Sequence, residues 1–168
     1  MNNLKLISRI TIFTALAISL GYVFSFVPNL ELITSTIFLA GVFLGCRPGM
    51  LVGLLSFLIF GFLNPLGPSP LPLLITQIIG GMFAGFLGGI YRKKEWDKAY
   101  ILVLLGIFIT FTYDILTTSA GFFFFPTKKT FLAYLVVGLP FVLWHILTQS
   151  IIYGFILTPI IRRLKKRR

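Results

Sequence analysis

The chain alternates long apolar stretches with short polar or proline-containing ones. About 20 helical residues cross a hydrocarbon core about 30 Å thick, and turns rich in Pro, Gly or charge interrupt such helices. The pattern predicts an all-α membrane protein of six transmembrane helices, formed as one domain over residues 1–168. The predicted spans are about 4–27, 32–45, 50–63, 73–91, 99–120 and 131–161.

The predicted spans differ in length. The second and third each have 14 residues and reach about 21 Å, so they are either extended by their turns or cross a thin part of the protein. A tight turn is expected at Arg47–Gly49, between these two spans. The sixth is too long for one straight crossing, and Pro140 and Pro159 are expected to kink or end it.

Composition supports the membrane interpretation. Hydrophobic residues make up 57% of the chain and charged residues only 11%, whereas soluble domains carry roughly a quarter charged residues. The single cysteine, Cys46, rules out a disulfide within one chain. The first apolar stretch has no convincing cleavage site, so we interpret it as a retained span and not as a removable signal peptide.

The net charge of +11 is distributed unevenly. In the six-span arrangement, only Lys128 and Lys129 of the 15 basic residues lie on one side, and the rest lie on the other. This bias follows the positive-inside rule and predicts that both termini are cytoplasmic. The cluster at 162–168 is expected to contact anionic lipid head groups, and nucleic-acid binding is not expected.

Small residues recur at helical spacing in the first span, on two adjacent stripes. Small residues four positions apart let another helix approach closely in lipid. Two interpretations remain open, which are packing within the protein and docking of a partner helix. The predicted docking residues are Thr11, Ala15 and Ser19 on one stripe, and Ala17 and Gly21 on the other.

Polar residues concentrate in the outer halves of several spans and in the turns beside them. Because polar side chains are costly in lipid, they usually face a bundle interior or a water-filled cavity. Their convergence predicts a ligand pocket that opens outward. The candidate substrate-binding residues are Asn29, Glu31, Thr34, Ser35, Asn64, Gln77, Tyr113, Asp114, Thr117 and His145.

Asp114 carries the sharpest chemistry, because an ionised carboxylate in hydrocarbon must be paired, hydrated or protonated. It either forms a structural hydrogen bond with a threonine or Tyr113, or contacts a ligand donor or cation. His145 pairs with Asp114, contacts a ligand, or bonds a neighbouring helix. One histidine and one buried aspartate make a poor metal site, so we expect no metal and no cofactor.

Motifs for catalysis and nucleotide hydrolysis are missing from the sequence. It contains no G-x-x-x-x-G-K-[ST] phosphate loop, no H-E-x-x-H and no G-x-S-x-G. The chain is therefore not expected to be an enzyme or to hydrolyse ATP itself.

Asn64–Pro72 holds four prolines between two apolar spans, which forbids a helix interior. It is either a plain extramembrane turn or a rigid loop that lines a pocket. Its Asn-Pro-x-Gly start, Val27–Glu31 and the run Phe38–Gly45 together resemble the substrate-binding S components of energy-coupling factor (ECF) vitamin transporters. The six-span layout and the small-residue stripe of the first span add to the resemblance.

The resemblance implies a subunit that captures a vitamin or related micronutrient outside a prokaryotic plasma membrane. A transmembrane coupling subunit and two ATP-hydrolysing subunits would be its partners. In that picture the Thr11 stripe faces the coupling subunit, while Asn64–Pro72, with Gly67, lines and gates the pocket. Alternatives from the residues alone are a proton-coupled secondary transporter that uses Asp114 and His145, a membrane enzyme, or a structural partner.

Overall fold

The computed structural model describes residues 3–94, 96, 98–128 and 130–165. Every regular element in these residues is helical, which confirms the all-α prediction. A π-helical segment, Ile152–Leu157, joins the last two α-helices. The α-helices are α1 Asn3–Phe24, α2 Ile33–Leu44, α3 Cys46–Phe62, α4 Leu71–Lys94, α5 Ala99–Phe124, α6 Phe131–Ile151 and α7 Thr158–Lys165.

Four helical stretches of the described residues are long and apolar enough to cross a membrane. They are α1, α4, α5 and the continuous stretch Phe131–Arg163 that begins with α6. The other two apolar helices are shorter, with 12 residues in α2 and 17 in α3. At 1.5 Å per residue, α2 is about 18 Å long, so this part of the protein is thinner than a typical hydrocarbon core.

Glycines bring α2, α3 and α4 into backbone contact. A Cβ at Gly85 would overlap the carbonyl oxygen of Gly49, and one at Gly88 would overlap that of Phe38. Gly53 lies equally close to the backbone of Gly81. In lipid the hydrophobic effect contributes little to the association of helices, so van der Waals packing has to stabilise it. Because dispersion attraction falls steeply with distance, the close backbone contact of these helices strengthens that packing. The glycines of α4 therefore pack inside the fold.

The turn between α2 and α3 is shorter than expected. It consists of Gly45 alone, whose φ of 103° lies in the region that favours glycine. The prediction of a turn at Arg47–Gly49 was wrong, because these residues already belong to α3. Pro48 lies in the first helical turn, where its missing N–H costs nothing. Gly49 serves close packing instead, against Gly41 and Gly85.

The last helical stretch does not end at its prolines. α6 continues through Pro140, and Pro159 lies in the first turn of α7, directly after the π-helical segment. The N–H and the hydroxyl of Thr158 both donate to the carbonyl oxygen of Tyr153, five residues earlier. The π-helical hydrogen bonds therefore extend to the residue before Pro159.

The two ends of the helical bundle differ in chemistry. At one end Arg92, at the close of α4, donates to the carbonyl oxygen of Phe43, near the turn at Gly45. The opposite end carries the α1–α2 connection, residues 25–32, and the α3–α4 connection, residues 63–70. The placement of the termini in the cytoplasm stays a prediction.

We expect Gly85→Ala to lower the free energy of unfolding by about 1–3 kcal/mol, because the added methyl would force α3 and α4 apart. Gly138→Ala is the matched control. Its Cβ would meet only Thr118 Cγ2, at 4.0 Å, so its effect should stay within about 1 kcal/mol. Unfolding of both variants in mixed micelles measures the difference, and equal stabilities would contradict the tight contact.

Candidate functional site

A cavity of about 320 Å³ lies at the end of the bundle that carries the α1–α2 and α3–α4 connections. Each of the helices α1 to α6 contributes to its wall, and the two connections contribute the rest. A cavity of this size fits a small organic molecule. Its lining residues are Gly21, Phe24, Ser25, Val27, Pro28, Asn29, Leu30, Glu31, Ile33, Phe60, Asn64, Leu66, Gln77, Tyr113, Asp114, Thr117 and His145.

Three ionisable side chains form a row along this cavity. His145 Nδ1 lies 2.8 Å from Asp114 Oδ1, and His145 Nε2 lies 3.8 Å from Glu31 Oε1. His145 Nδ1 therefore faces Asp114, and Nε2 is turned toward Glu31. Glu31 lies in the connection between α1 and α2. Burial there removes water from its carboxyl group and raises the pKa of that group above its ordinary value.

Several polar atoms of the cavity-lining side chains lack a hydrogen-bond partner within the described residues. Asp114 Oδ2, His145 Nε2 and Gln77 Oε1 are all buried and make no hydrogen bond among the described residues. Buried polar groups are normally satisfied, and exceptions call for a specific explanation. All three belong to side chains that line the cavity, so a small molecule bound there is a candidate for the missing partner.

Hydrogen bonds fasten the α1–α2 connection to α6. Asn29 Nδ2 donates to the carbonyl oxygen of Phe141, and Thr148 Oγ1 donates to the carbonyl oxygen of Asn29. Gln149 Nε2 donates to the carbonyl oxygen of Glu31 at 2.7 Å. Asn29 has a φ of 56°, a conformation that asparagine tolerates better than most residues. The connection and α6 thus hold Glu31 and His145 together.

The Asn-Pro-x-Gly motif forms a tight turn at the cavity mouth. Asn64 Oδ1 accepts from the N–H of Leu66, and the Asn64 carbonyl oxygen accepts from the N–H of Gly67. Gly67 has a φ of 106°, which explains why the motif ends in glycine. Ser69 N–H donates back to the carbonyl oxygen of Gly61 and anchors the loop on α3.

A second cavity of about 370 Å³ lies between α5 and α6, beside the α1–α2 connection. It shares Asn29, Asp114 and Thr117 with the first cavity, and its own wall includes Tyr134 and Phe141. Asp114 therefore borders both spaces.

The structure brings most of the predicted site residues together. Thr34, Ser35 and Gly67 are the exceptions, because they do not line the cavity. Thr34 donates its hydroxyl to the Glu31 carboxylate, and Ser35 donates to the carbonyl oxygen of Leu32. The eight that line it are Asn29, Glu31, Asn64, Gln77, Tyr113, Asp114, Thr117 and His145.

The apolar part of the wall was not predicted. Phe24, Leu30, Phe60 and Leu66 line the cavity, yet apolar residues beside a turn carry no distinctive signal in a sequence of this composition. Their position next to Asn29 and Asn64 was the one available indication.

The two small-residue stripes of α1 differ in burial. Ala17 and Gly21 are buried, and a Cβ at Gly21 would overlap Ile33 of α2. These two residues pack within the protein's own fold, so they are not available for docking. Thr11, Ala15 and Ser19 are exposed on α1, and their role as a docking face stays a prediction.

Fold and site define a helical membrane protein with a polar cavity near one end. The family model of the ECF transporter substrate-specific component matches residues 5–157. The chain therefore belongs to the family of ECF transporter substrate-specific components. Members of this family are transporter subunits that work with a membrane coupling subunit and two ATPases. Searches of curated proteins and of solved structures each return no match.

The Asp114–His145 contact should appear as a coupling free energy in a double-mutant cycle. We expect Asp114→Ala and His145→Ala each to cost about 3–5 kcal/mol, because each leaves a buried polar partner uncompensated. The double variant should cost less than the sum by at least about 1 kcal/mol. Unfolding in mixed micelles supplies the four stabilities.

The control cycle pairs His145→Ala with Thr112→Ala. Thr112 is half-buried on α5, does not line the cavity, and donates its hydroxyl to the carbonyl oxygen of Phe108, so this pair should be additive. Additivity in the Asp114–His145 cycle would instead mean that the contact makes no energetic contribution.

Proposed function

We propose that this chain captures a small vitamin-like molecule from outside a prokaryotic cell and delivers it to an ATP-driven coupling module. The cavity is the main support for the proposal. Polar groups from several helices converge in its wall, and three of them have a buried atom without a hydrogen-bond partner among the described residues. Family membership supports the same function, since substrate-specific components supply the binding step of their transporters.

The orientation follows from charge. The basic residues near the α2–α3 turn, at the end of α4 and in α7 would lie in the cytoplasm under the positive-inside rule. The six apolar helical stretches would then cross the plasma membrane, with both termini inside. This arrangement opens the cavity to the outside, where an importer must meet its ligand.

Energy would come from other chains. The sequence carries no phosphate loop for ATP, and the family works with dedicated ATPases. The exposed stripe of Thr11, Ala15 and Ser19 would contact the coupling subunit, because small side chains let two membrane helices approach closely. The remaining lipid-facing surface would contact membrane lipids.

The two connections would act as the cover of the cavity. Residues 25–32 and 63–70 supply part of its wall, including Asn29, Glu31 and Asn64. Release would require the α1–α2 connection to break its hydrogen bonds with α6. Such a cover would hold the ligand until the coupling module is engaged.

A proton-coupled secondary transporter is the second candidate, and the row of Asp114, His145 and Glu31 favours it. Ionisable groups within a membrane often form proton relays. Uptake measurements in proteoliposomes distinguish these two functions. Uptake by this chain alone under a pH gradient would support the relay, whereas uptake only with the coupling module and ATP would support our proposal.

Ligand binding can be tested directly by thermal denaturation of the purified chain against a panel of vitamins and their precursors. Binding to the folded state must raise its stability, by about 2.7 kcal/mol when the ligand is at 100 times its Kd. The absence of any stabilisation across the panel would count against the proposal.

We expect Ala15→Trp to abolish co-purification with the coupling subunit while leaving ligand-induced stabilisation unchanged. The bulky ring would block close helix approach on the exposed stripe, far from the cavity wall. Leu104→Trp is the control, because Leu104 is an exposed apolar residue on α5 and should tolerate the ring. Normal assembly of the Ala15→Trp protein would remove the docking role of this face.

A further inference from the structure

The cavity wall is acidic in a strongly basic protein. The whole chain has four acidic residues against 15 basic ones, yet two of the four acidic residues line this cavity. They are Glu31 and Asp114, and neither Lys nor Arg is among the lining residues. The one lining group that can carry positive charge is His145. The two carboxyl groups outnumber this single imidazole, so the ionisable groups of the wall are predominantly acidic.

The unpartnered atoms point to the same chemistry. Asp114 is 9% exposed, and its Oδ2 is a buried acceptor without a donor among the described residues. Gln77 Oε1 is a second such acceptor. Acceptors of this kind are satisfied by N–H donors of a ligand, and a charged donor gives the stronger hydrogen bond. An anionic ligand would leave both atoms unsatisfied and meet like charge.

The walls beside these acceptors are aromatic. Phe24, Phe60 and Tyr113 line the same cavity, and the face of an aromatic ring attracts a cation. A metal ion fits poorly, because the described residues hold no cluster of three His, Cys, Asp or Glu arranged to bind one. The space of about 320 Å³ also far exceeds that of a bare ion. The arrangement suits an organic cation with a flat ring.

We propose that the ligand carries a protonated or permanently cationic nitrogen, as an amine, amidine or nitrogen heterocycle, bound against Asp114 and Glu31. The inference rests on the proposed capture function and names the class of molecule captured. Asp114 borders both cavities, so a cation held there can carry one substituent into the cavity at Gln77 and another toward Tyr134.

The test uses sets of probes that share a ring and differ in charge. Benzylammonium, benzyl alcohol and benzoate form one set, and the corresponding aminomethyl, hydroxymethyl and carboxyl derivatives of pyridine, pyrimidine and thiazole form the others. Each probe is titrated against the purified full chain, and the unfolding temperature is recorded. We expect cations to reach half-saturation at concentrations at least about tenfold lower than their neutral or anionic counterparts.

Two variants attribute this preference to the cavity. Asp114→Asn should reduce the advantage of the cations to about twofold or less, because it removes the charge and keeps the shape. Glu31→Gln, in the α1–α2 connection, should also reduce the advantage of the cations. This variant replaces Asp114→Asn in the test if the Asp114 variant does not fold. Thr112→Val, on α5 but outside the walls of both cavities, should keep the full preference.

A preference for carboxylates or neutral probes would overturn the inference, as would the absence of a response to every cation. Neither result would decide the transport function. If the chain still assembles with the coupling module and supports ATP-driven uptake of an anionic or neutral molecule, the proposed function stands and the cationic class fails. If assembly and ATP-driven uptake fail as well, the proposed function fails independently.

Discussion

The backbone contact of α2, α3 and α4 is the constraint on which the rest of the structure depends. Two of these helices are short, and in lipid they cannot rely on the exclusion of water to hold them together. Glycines at 49, 53, 81, 85 and 88 remove the side chains that would separate them. The resulting rigid centre supports α1 on one side and α5 on the other. It also leaves little space for a ligand between its own helices.

The cavity therefore forms where the close packing ends. Beyond Gly80, which faces the ring of Tyr113, the helices diverge and side chains with polar ends replace glycine. α6 completes the wall although only His145 and Gln149 of its residues are buried. Hydrogen bonds to the α1–α2 connection, together with ring contacts to Phe122 at the end of α5, hold α6 in place. The site is consequently built from the least tightly packed elements of the fold.

The sequence predicted the helices and the main polar residues of the cavity. Apolar length located the helices, and the cost of polar groups in lipid singled out Asp114 and His145. The pairing of these two with Glu31 required knowledge of how distant helices meet, since Glu31 and His145 lie far apart in the chain. The start of α3 was misjudged because Pro48 and Gly49 are typical of turns, whereas tertiary packing makes them helical. The lengths of α2 and α3 depended on that boundary.

The hydrogen bonds between the α1–α2 connection and α6 would couple binding of the proposed ligand to the position of α6 in the bilayer. α6 belongs to the longest apolar stretch of the protein, and such a helix tilts or shifts when membrane thickness changes. Asn29 and Glu31 would follow it, because the carbonyl oxygens of both residues and the side chain of Asn29 are hydrogen-bonded to α6. Since linkage is reciprocal, a membrane that alters the position of α6 would alter the affinity for the proposed ligand, and a bound ligand would resist that change by the same free energy. Under the proposed function, the lipid composition of the host membrane would thereby become a determinant of how tightly the ligand is held.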